Sequence, residues 1–293
     1  MSNGVRFTVF KGAIPSQFAE WTPVELSSAG GKLPSTVLAV GAYHLGVPAG
    51  LAAAAISGNG APKARLLGVA VAPSLRRQGV GGRLIAELER RLRTVGISSL
   101  SAEYLEDLSA RSEQADFLLA CGFSEPHAGI HAASGPLHLA KQLPWVGSLV
   151  LPRSFSIQPF HTLTLEEREL LRSGEDNWYP SILNPLAGES GIDAQRSLVV
   201  RRKGQLAGWL TVEAFSQDTL LFKTMFVRAE HQRLGRGVAL LAEMLRRAAD
   251  DSSFREGMFF VEAANSPMMT FLERHVYPLG LRREVLWRTV KPI

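Results

Sequence analysis

The chain has 293 residues, 46% of them hydrophobic and 20% charged, with a formal net charge of +5. Two domains fit that length, as does a single large barrel, and the ordinary globular composition argues against disorder. One cysteine, Cys121, excludes an intramolecular disulfide and a cysteine-cluster zinc site, and makes a reduced, cytoplasmic setting the simplest reading.

Residues 1–17 include Arg6 and Lys11 but no sustained apolar run, so no secretory signal is expected. A strand is predicted over 5–10, then a short helical region and a hairpin over 36–56. The small apolar stretch 51–56 within it falls far short of the roughly 20 residues of a membrane helix. An apolar run at 66–71 leads into Val71-Ala-Pro-Ser-Leu-Arg-Arg-Gln-Gly-Val-Gly81. After this loop Val80, Leu84, Leu88 and Leu92, with Ile85, mark one face of an amphipathic helix. A strand over 97–105, a short helix and the pair Gly122-Phe123 follow. Cys121 reads as core rather than nucleophile. His127, His131 and His138 alternate with apolar residues as strand positions do, and match no metal-ligand spacing.

Residues 143–152, with two prolines and a glycine, suit an interdomain connection whose apolar residues must pack against something. The boundary is placed near 148, giving domains 1–147 and 148–293. The second half repeats the plan: a helix over 165–171, an irregular stretch over 174–191, and a hairpin over 198–215 turning at Lys203-Gly204. A strand at 220–227 then leads into Val227-Arg-Ala-Glu-His-Gln-Arg-Leu-Gly-Arg-Gly237. Val238, Leu241, Ala242 and Leu245 form the next helical face, before a strand over 258–263 and the pair Gly280-Leu281. A diverged internal repeat of this kind predicts two tandem α/β (α+β) domains, each a mixed central sheet flanked by helices.

Each repeated loop joins a strand end to a helix start, where unpaired N–H groups and the helix dipole favour an anion. Gly79 and Gly81 let phosphate oxygens approach the backbone, and Arg76 and Arg77 add charge-assisted donors. The basic balance therefore points to a small phosphorylated ligand. A nucleic-acid polymer is not expected, because no interleaved aromatic and basic residues accompany the arginines. Arg90, Arg91, Arg246 and Arg247 read as solvated helix surface. A P-loop is excluded by Gly82-Arg83, which stand where Lys-Ser/Thr is required. A dinucleotide fingerprint lacks its third glycine, replaced by Leu84 and, in the second copy, Leu240.

The pattern Val-x-Pro-x-x-Arg-Arg-x-Gly-x-Gly resembles the signature of the GNAT acetyltransferases, over most of each half. The resemblance implies acetyl-CoA as cosubstrate, with no metal. Its pyrophosphate would be held by main chain from Arg77 through Gln78, Gly79, Val80, Gly81 and Gly82 to Arg83. Main chain at Val69 and Val71 would meet the pantetheine. The matching positions of the second half are Arg233, Leu234, Gly235, Arg236 and Gly237 to Ala239, with Met225 and Val227. The family's pantetheine-binding asparagine is matched by Asn265, with no clear equivalent in the first half. The signature proline is Pro73 in the first half and Ala229 in the second. The first domain, with the closer loop, is favoured as the acetyl-CoA site, the second helping to wall an acceptor groove.

An amine acceptor, with a free pKa near 10.4, needs a base. Glu103 is the first candidate, with Glu262 in the comparable place of the second half; a surface ion pair is the alternative role for Glu103. The tyrosine that many members use to protonate the thiolate is replaced by Leu118, and Tyr104 or Tyr277 can stand in. Glu106, Asp107, Glu175 and Asp176, with Trp178 and Tyr179 beside them, would attract and wall a cationic acceptor. The function expected is N-acetylation of a primary amine on a cationic small molecule or peptide, including antibiotic inactivation in self-resistance. Acetylation of protein lysines or N-termini, and non-catalytic CoA binding, are the alternatives. Oligomeric state is not readable.

Overall fold

The computed structural model describes residues 4–27, 32–57, 62–108, 112–232 and 235–293. Residues Arg233 and Leu234 of the second loop lie outside them. The chain forms two compact units, residues 1–129 with 285–293, and residues 130–284.

In unit 1, β1 (Val5–Phe10), β2 (Val37–His44), β3 (Val47–Ser57) and β4 (Lys63–Val71) form an antiparallel meander. A one-turn helix α1 (Val24–Ser27) interrupts it. Helix α2 (Val80–Thr94) carries the chain to β5 (Ser99–Asp107), which pairs parallel with β4. Helix α3 (Glu113–Ala120) follows, and β12 (Arg282–Pro292) lies next to β5. Val80, Leu84, Ile85, Leu88 and Leu92 recur at helical spacing and are all buried. They pack on Val40, Ala52, Leu66 and Leu100 of the sheet. Each fully buried leucine contributes about 1.5–3 kcal/mol.

Unit 2 takes β6 (His127–Pro136), α4 (Pro144–Ser148), β7 (Phe155–Pro159) and α5 (Leu165–Gly174). Then come β8 (Leu198–Arg202), β9 (Gln205–Ala214), β10 (Thr219–Val227), α6 (Arg236–Asp250), β11 (Glu256–Glu262) and α7 (Ser266–His275). Its strands run in the order β6-β11-β10-β9-β8-β7, with β10 and β11 parallel. Two 3-10 turns break the stretch read as irregular, at Ser181–Leu183 and Glu189–Gly191. Both hairpins turn on two left-handed residues, Leu45-Gly46 (φ 51 and 83) and Lys203-Gly204 (φ 51 and 82). Such a pair matches the right-handed twist of the flanking strands.

The compact units differ from the expected cut near residue 148 at the strands that close each sheet. Strand β6 belongs mainly to unit 2 although it precedes the cut, and β12 belongs mainly to unit 1 although it follows it. The connection 143–152 is itself part of unit 2. Arg246 of α6 donates to the carbonyls of Val146 and Leu149, which covers α6 with α4. In unit 1, Lys291 of β12 reaches the buried Glu89 of α2 at 2.6 Å and the Cys121 carbonyl at 2.5 Å.

Arg196 ties the approach to β8 to the end of α6, donating to Asp193 and Asp251 at 2.6 Å each. Its guanidinium, with Ser253, lowers the Asp251 carboxyl to about 2. Folding thus favours ionised Asp251. The stabilisation is complete above the unfolded value of about 3.9 and disappears as the pH falls through about 2. Asp251 is partly exposed, so screening leaves about 1 kcal/mol. Asp251→Asn is expected to lose that amount in urea unfolding at neutral pH, and the gap from the parent should close as the pH is lowered toward 2.

Candidate functional site

Strands β4 and β5 pair only from Ala64↔Leu100 to Leu66↔Ala102, yet β4 runs on to Val71 and β5 to Asp107. The register of β4 against β3 skips at Leu67, which marks a bulge where the pairing ends. Beyond it, Val69 and Val71 lie half-buried, on the side of β4 that has left β5. Unit 2 repeats the arrangement. β10 and β11 pair from Thr219↔Glu256 to Phe222↔Phe259, the register against β9 skips at Lys223, and Met225 and Val227 follow. Each unit therefore holds a splay between its two parallel strands, with unpaired main chain facing into it.

The splay of unit 1 runs into the glycine loop. Gly79 is the N-cap of α2 at φ 77, a conformation that favours glycine, and Arg77 stands at φ 61. The first helical bond is donated by Arg83 N to Gly79 O at 3.1 Å, so the amides of Val80, Gly81 and Gly82 precede the helical ladder. The main chain of Arg83 is thus held inside the helix, and its guanidinium lies over the Phe7 ring at 4.9 Å. Arg76 Nε donates to Val71 O at 3.1 Å and Gln78 Nε2 to Ser74 O at 2.9 Å, so both side chains brace the loop. A Cβ at Gly81 would stand 3.0 Å from Phe117 of α3. The cradle is closed on that side.

In unit 2, Gly235 (φ 71) caps α6, Ala239 N bonds Gly235 O at 2.8 Å, and Gly237 has open space around it. Gln232 Nε2 donates to Val227 O at 2.8 Å, the counterpart of the Arg76 brace. Asn265 is the N-cap of α7, its Oδ1 accepting from Met268 N at 3.2 Å. Its structural equivalent in unit 1 is Ser112, whose hydroxyl accepts from Ala115 N at 2.9 Å at the start of α3.

Glu103 accepts from Arg288 Nε of β12 at 2.9 Å. Gly129 makes room for that arginine, since a Cβ there would lie 2.7 Å from Arg288 Cδ. Aligning the splays places Phe260 at the position of Glu103 and Leu105 at that of Glu262, because Leu66↔Ala102 corresponds to Phe222↔Phe259. Glu262 is therefore two residues further along its strand than the place expected of it. Tyr104, on the opposite face of β5 from Glu103, is buried; burial raises its phenol above the ordinary value, and the bond to Ser112 offsets part of this. A cavity of about 230 Å³ lies at the end of β5, lined by Tyr104, Glu106, Asp107, Ser112 and Trp287.

The acidic and aromatic set of unit 2 has internal tasks. Glu175 accepts from Asn184 Nδ2 and Asp176 from Ser181 N, each at 2.9 Å. Tyr179 donates to Leu171 O at 2.6 Å, and Trp178 packs edge-on to Trp209. Burial raises the Cys121 thiol, more than Lys291 lowers it, which keeps it protonated and supports its reading as core. Tyr277, raised likewise by burial, sits under the Arg283 guanidinium at 3.8 Å. His131 lies on β6 and is lowered by burial, while His138 falls in the 3-10 turn after the strand. Arg90 and Arg91 pair with Glu87, and Arg246 and Arg247 with Glu243. Among the described residues no cluster of His, Cys, Asp and Glu could hold a metal, and no helix is long and apolar enough to cross a membrane.

The acetyltransferase (GNAT) family model matches residues 13–123 and 160–276, most of the chain and one segment in each half. The chain belongs to the acetyltransferase (GNAT) family. Of the GNAT structures similar to it, a tandem GNAT protein from the clavulanic acid biosynthesis pathway aligns over 97% of this chain and 98% of its own. The identity is 20% and the TM-score 0.60. A GCN5-related glucosamine N-acetyltransferase region of a fungal multi-domain GH3 β-N-acetylglucosaminidase aligns over 99% of this chain and 38% of that one, with 15% identity and a TM-score of 0.66. A GCN5-related N-acetyltransferase from Sphaerobacter thermophilus aligns over 96% and 95%, with 17% identity and a TM-score of 0.55. At such identities the likeness is one of fold. No protein of curated function matches the sequence. GNAT membership and the tandem form are thus established, and the acyltransferase class is supported with them.

Proposed function

We propose that the chain transfers acetyl from acetyl-CoA to a primary amine of a cationic small molecule or peptide, and that unit 1 is the working site. The observation that carries this is the β4–β5 splay ending in the Gly79–Gly81 cradle at the start of α2. Unpaired β4 main chain can receive the pantetheine amides, and the amides of Val80, Gly81 and Gly82, aligned with the helix dipole, receive the pyrophosphate. Glu103 supports the choice of unit, because Phe260 stands at its place in unit 2.

In the reaction the amine nitrogen, once deprotonated, attacks the thioester carbonyl carbon. The new C–N bond forms, the C–S bond breaks, and sulfur departs with the electron pair. Glu103, fixed by Arg288, takes the amine proton directly or through water. The nitrogen loses its second proton as the C–S bond breaks, and that proton passes to the departing thiolate directly or through water. Glu106 and Asp107 offer a cationic acceptor an acidic approach at the end of the same strand, and amino-containing antibiotics fall within that class.

The test is release of free CoA thiol from acetyl-CoA with a panel of amines. Turnover is expected with cationic acceptors, and Glu103→Gln should lower kcat by about 100-fold while acetyl-CoA binding is unchanged. Binding without turnover on any amine would assign the chain to CoA binding alone.

A further inference from the structure

The two repeats can be compared position by position around their loops, because matched hydrogen bonds fix the correspondence. Ala72 N bonds Ala49 O and Arg228 N bonds Ala207 O; Leu75 N bonds Ala72 O and His231 N bonds Arg228 O. Val80 and Arg236 are the first residues of their helices. Three apolar residues of unit 1, Ala72, Leu75 and Val80, are thus Arg228, His231 and Arg236 in unit 2. Val80 is buried in the core, and Leu75 packs against it. In unit 2 a cavity of about 500 Å³ lies at this end, lined in part by Arg228, Glu230, His231, Arg201, Glu166 and Glu167. It lies on the β8–β9 side of β10, whereas the splay opens on the β11 side.

The cavity holds polar groups without partners. The Arg228 guanidinium lies 4.0 Å over the Trp178 ring, with no ion-pair partner among the described residues, and its Nε is buried without an acceptor. His231 is 8% exposed and its Nδ1 has no partner among the described residues. Those two atoms lie too deep to meet a ligand directly, but the guanidinium at the cavity wall is a charge without a counter-ion, and an uncompensated charge points to an anionic group brought by a ligand. Arg201 and Glu167 neutralise each other at 2.6 Å. What remains at the wall, among the described residues, is a guanidinium without a counter-ion, together with the carboxylates of Glu230 and of Glu166, which accepts from the Thr164 hydroxyl at 3.4 Å. A phosphate would meet that cation only against two carboxylates. A ligand bearing both charges satisfies both.

We infer that unit 2 carries a second small-molecule site, separate from the proposed acetyl-CoA cradle, that binds a zwitterion of the α-amino-acid class. Arg228 receives its carboxylate, and Glu166 and Glu230 receive its ammonium. The whole chain should be titrated calorimetrically with the free proteinogenic α-amino acids as probes, and the α-carboxamide of any that binds should be titrated beside it. At least one amino acid is expected to bind saturably at millimolar concentration or below, and its carboxamide at least about tenfold more weakly. Arg228→Met keeps an apolar stem on Trp178 and should weaken binding by a similar factor. Glu230→Gln, at an exposed position, should weaken it as well while leaving the thermal unfolding midpoint of the free protein unchanged. Binding of no amino acid, binding indifferent to both variants, or preferential binding of inorganic phosphate would overturn the inference.

Discussion

Gly81→Glu is expected to abolish acetyl-CoA binding, with a loss of at least about 100-fold, or about 2.8 kcal/mol. Gly81 is the second residue of α2, and its amide is one of the donors ahead of the helical ladder. A glutamate there sets a carboxylate among the amides proposed to hold the diphosphate, so the dipole that would attract the ligand is answered before the ligand arrives. Its Cβ also meets Phe117 at 3.0 Å, so a ring shift of a few tenths of an ångström is required. A circular dichroism melt separates this strain from the loss of binding. A Cβ at Gly237 meets nothing within 4 Å among the described residues, so Gly237→Glu gives the matched control in unit 2. Calorimetric titration of acetyl-CoA into both variants assigns the site. Retained binding in Gly81→Glu with loss in Gly237→Glu would move the proposed function to unit 2, and retention in both would remove it.

Glu167→Ala should be the most destabilising single exchange named here, at about 3 kcal/mol or more in urea unfolding. Arg201 is only 8% exposed and donates to both oxygens of Glu167 at 2.6 Å. Its third nitrogen, Nη1, donates to Gln158 and the Thr162 hydroxyl, and Nη2 also donates to the Thr162 carbonyl. Removing the carboxylate leaves a buried guanidinium uncompensated. It also opens the capping box of α5, in which Thr164 N donates to Glu167 at 3.0 Å and Glu167 N to the Thr164 hydroxyl at 3.1 Å. Burial alone would raise the Glu167 carboxyl, but the bonds from Arg201 and Thr164 N lower it overall. The pair therefore stabilises the fold above the usual carboxylate range and weakens as acid is added. The double exchange Glu167→Leu with Arg201→Met should recover most of the loss, because no charge is then left buried alone.

What the sequence made legible was local. The hairpins, the face of α2 and the repeat depend on neighbours within about one element, and each stands where its pattern placed it. The face expected on α6 does not, since Ala239, Leu240, Met244 and Ala248 are buried beside Ala242 while Val238, Leu241 and Leu245 are only half-buried. The Ser112 cap was legible in principle, since a serine followed by Glu113 and Asp116 in the first turn marks a helix start. Contacts between distant segments were not. Arg288 reaches Glu103 across 185 residues, and nothing in an alternating C-terminal strand tells which sheet it joins. The position of Glu262 depended on the register of two parallel strands, which the apolar pattern leaves open. Trp178 and Tyr179 read as a ligand wall because aromatic residues beside acidic ones look alike in a pocket and in a core. Only packing against Trp209 and Phe226 distinguishes them.

The placement of β12 beside β5 bears on how the protein comes to be folded. During synthesis the β4–β5 splay and the glycine loop emerge early, while residues 285–293, which belong to the same unit, emerge after all of unit 2. Until then β5 is an unprotected sheet edge, of the kind that pairs with foreign strands. Glu103 likewise lacks its arginine and Glu89 its lysine over that interval. The sheet edge at β5 is therefore covered, and the Glu103–Arg288 and Glu89–Lys291 pairs form, only after synthesis has passed through the second repeat.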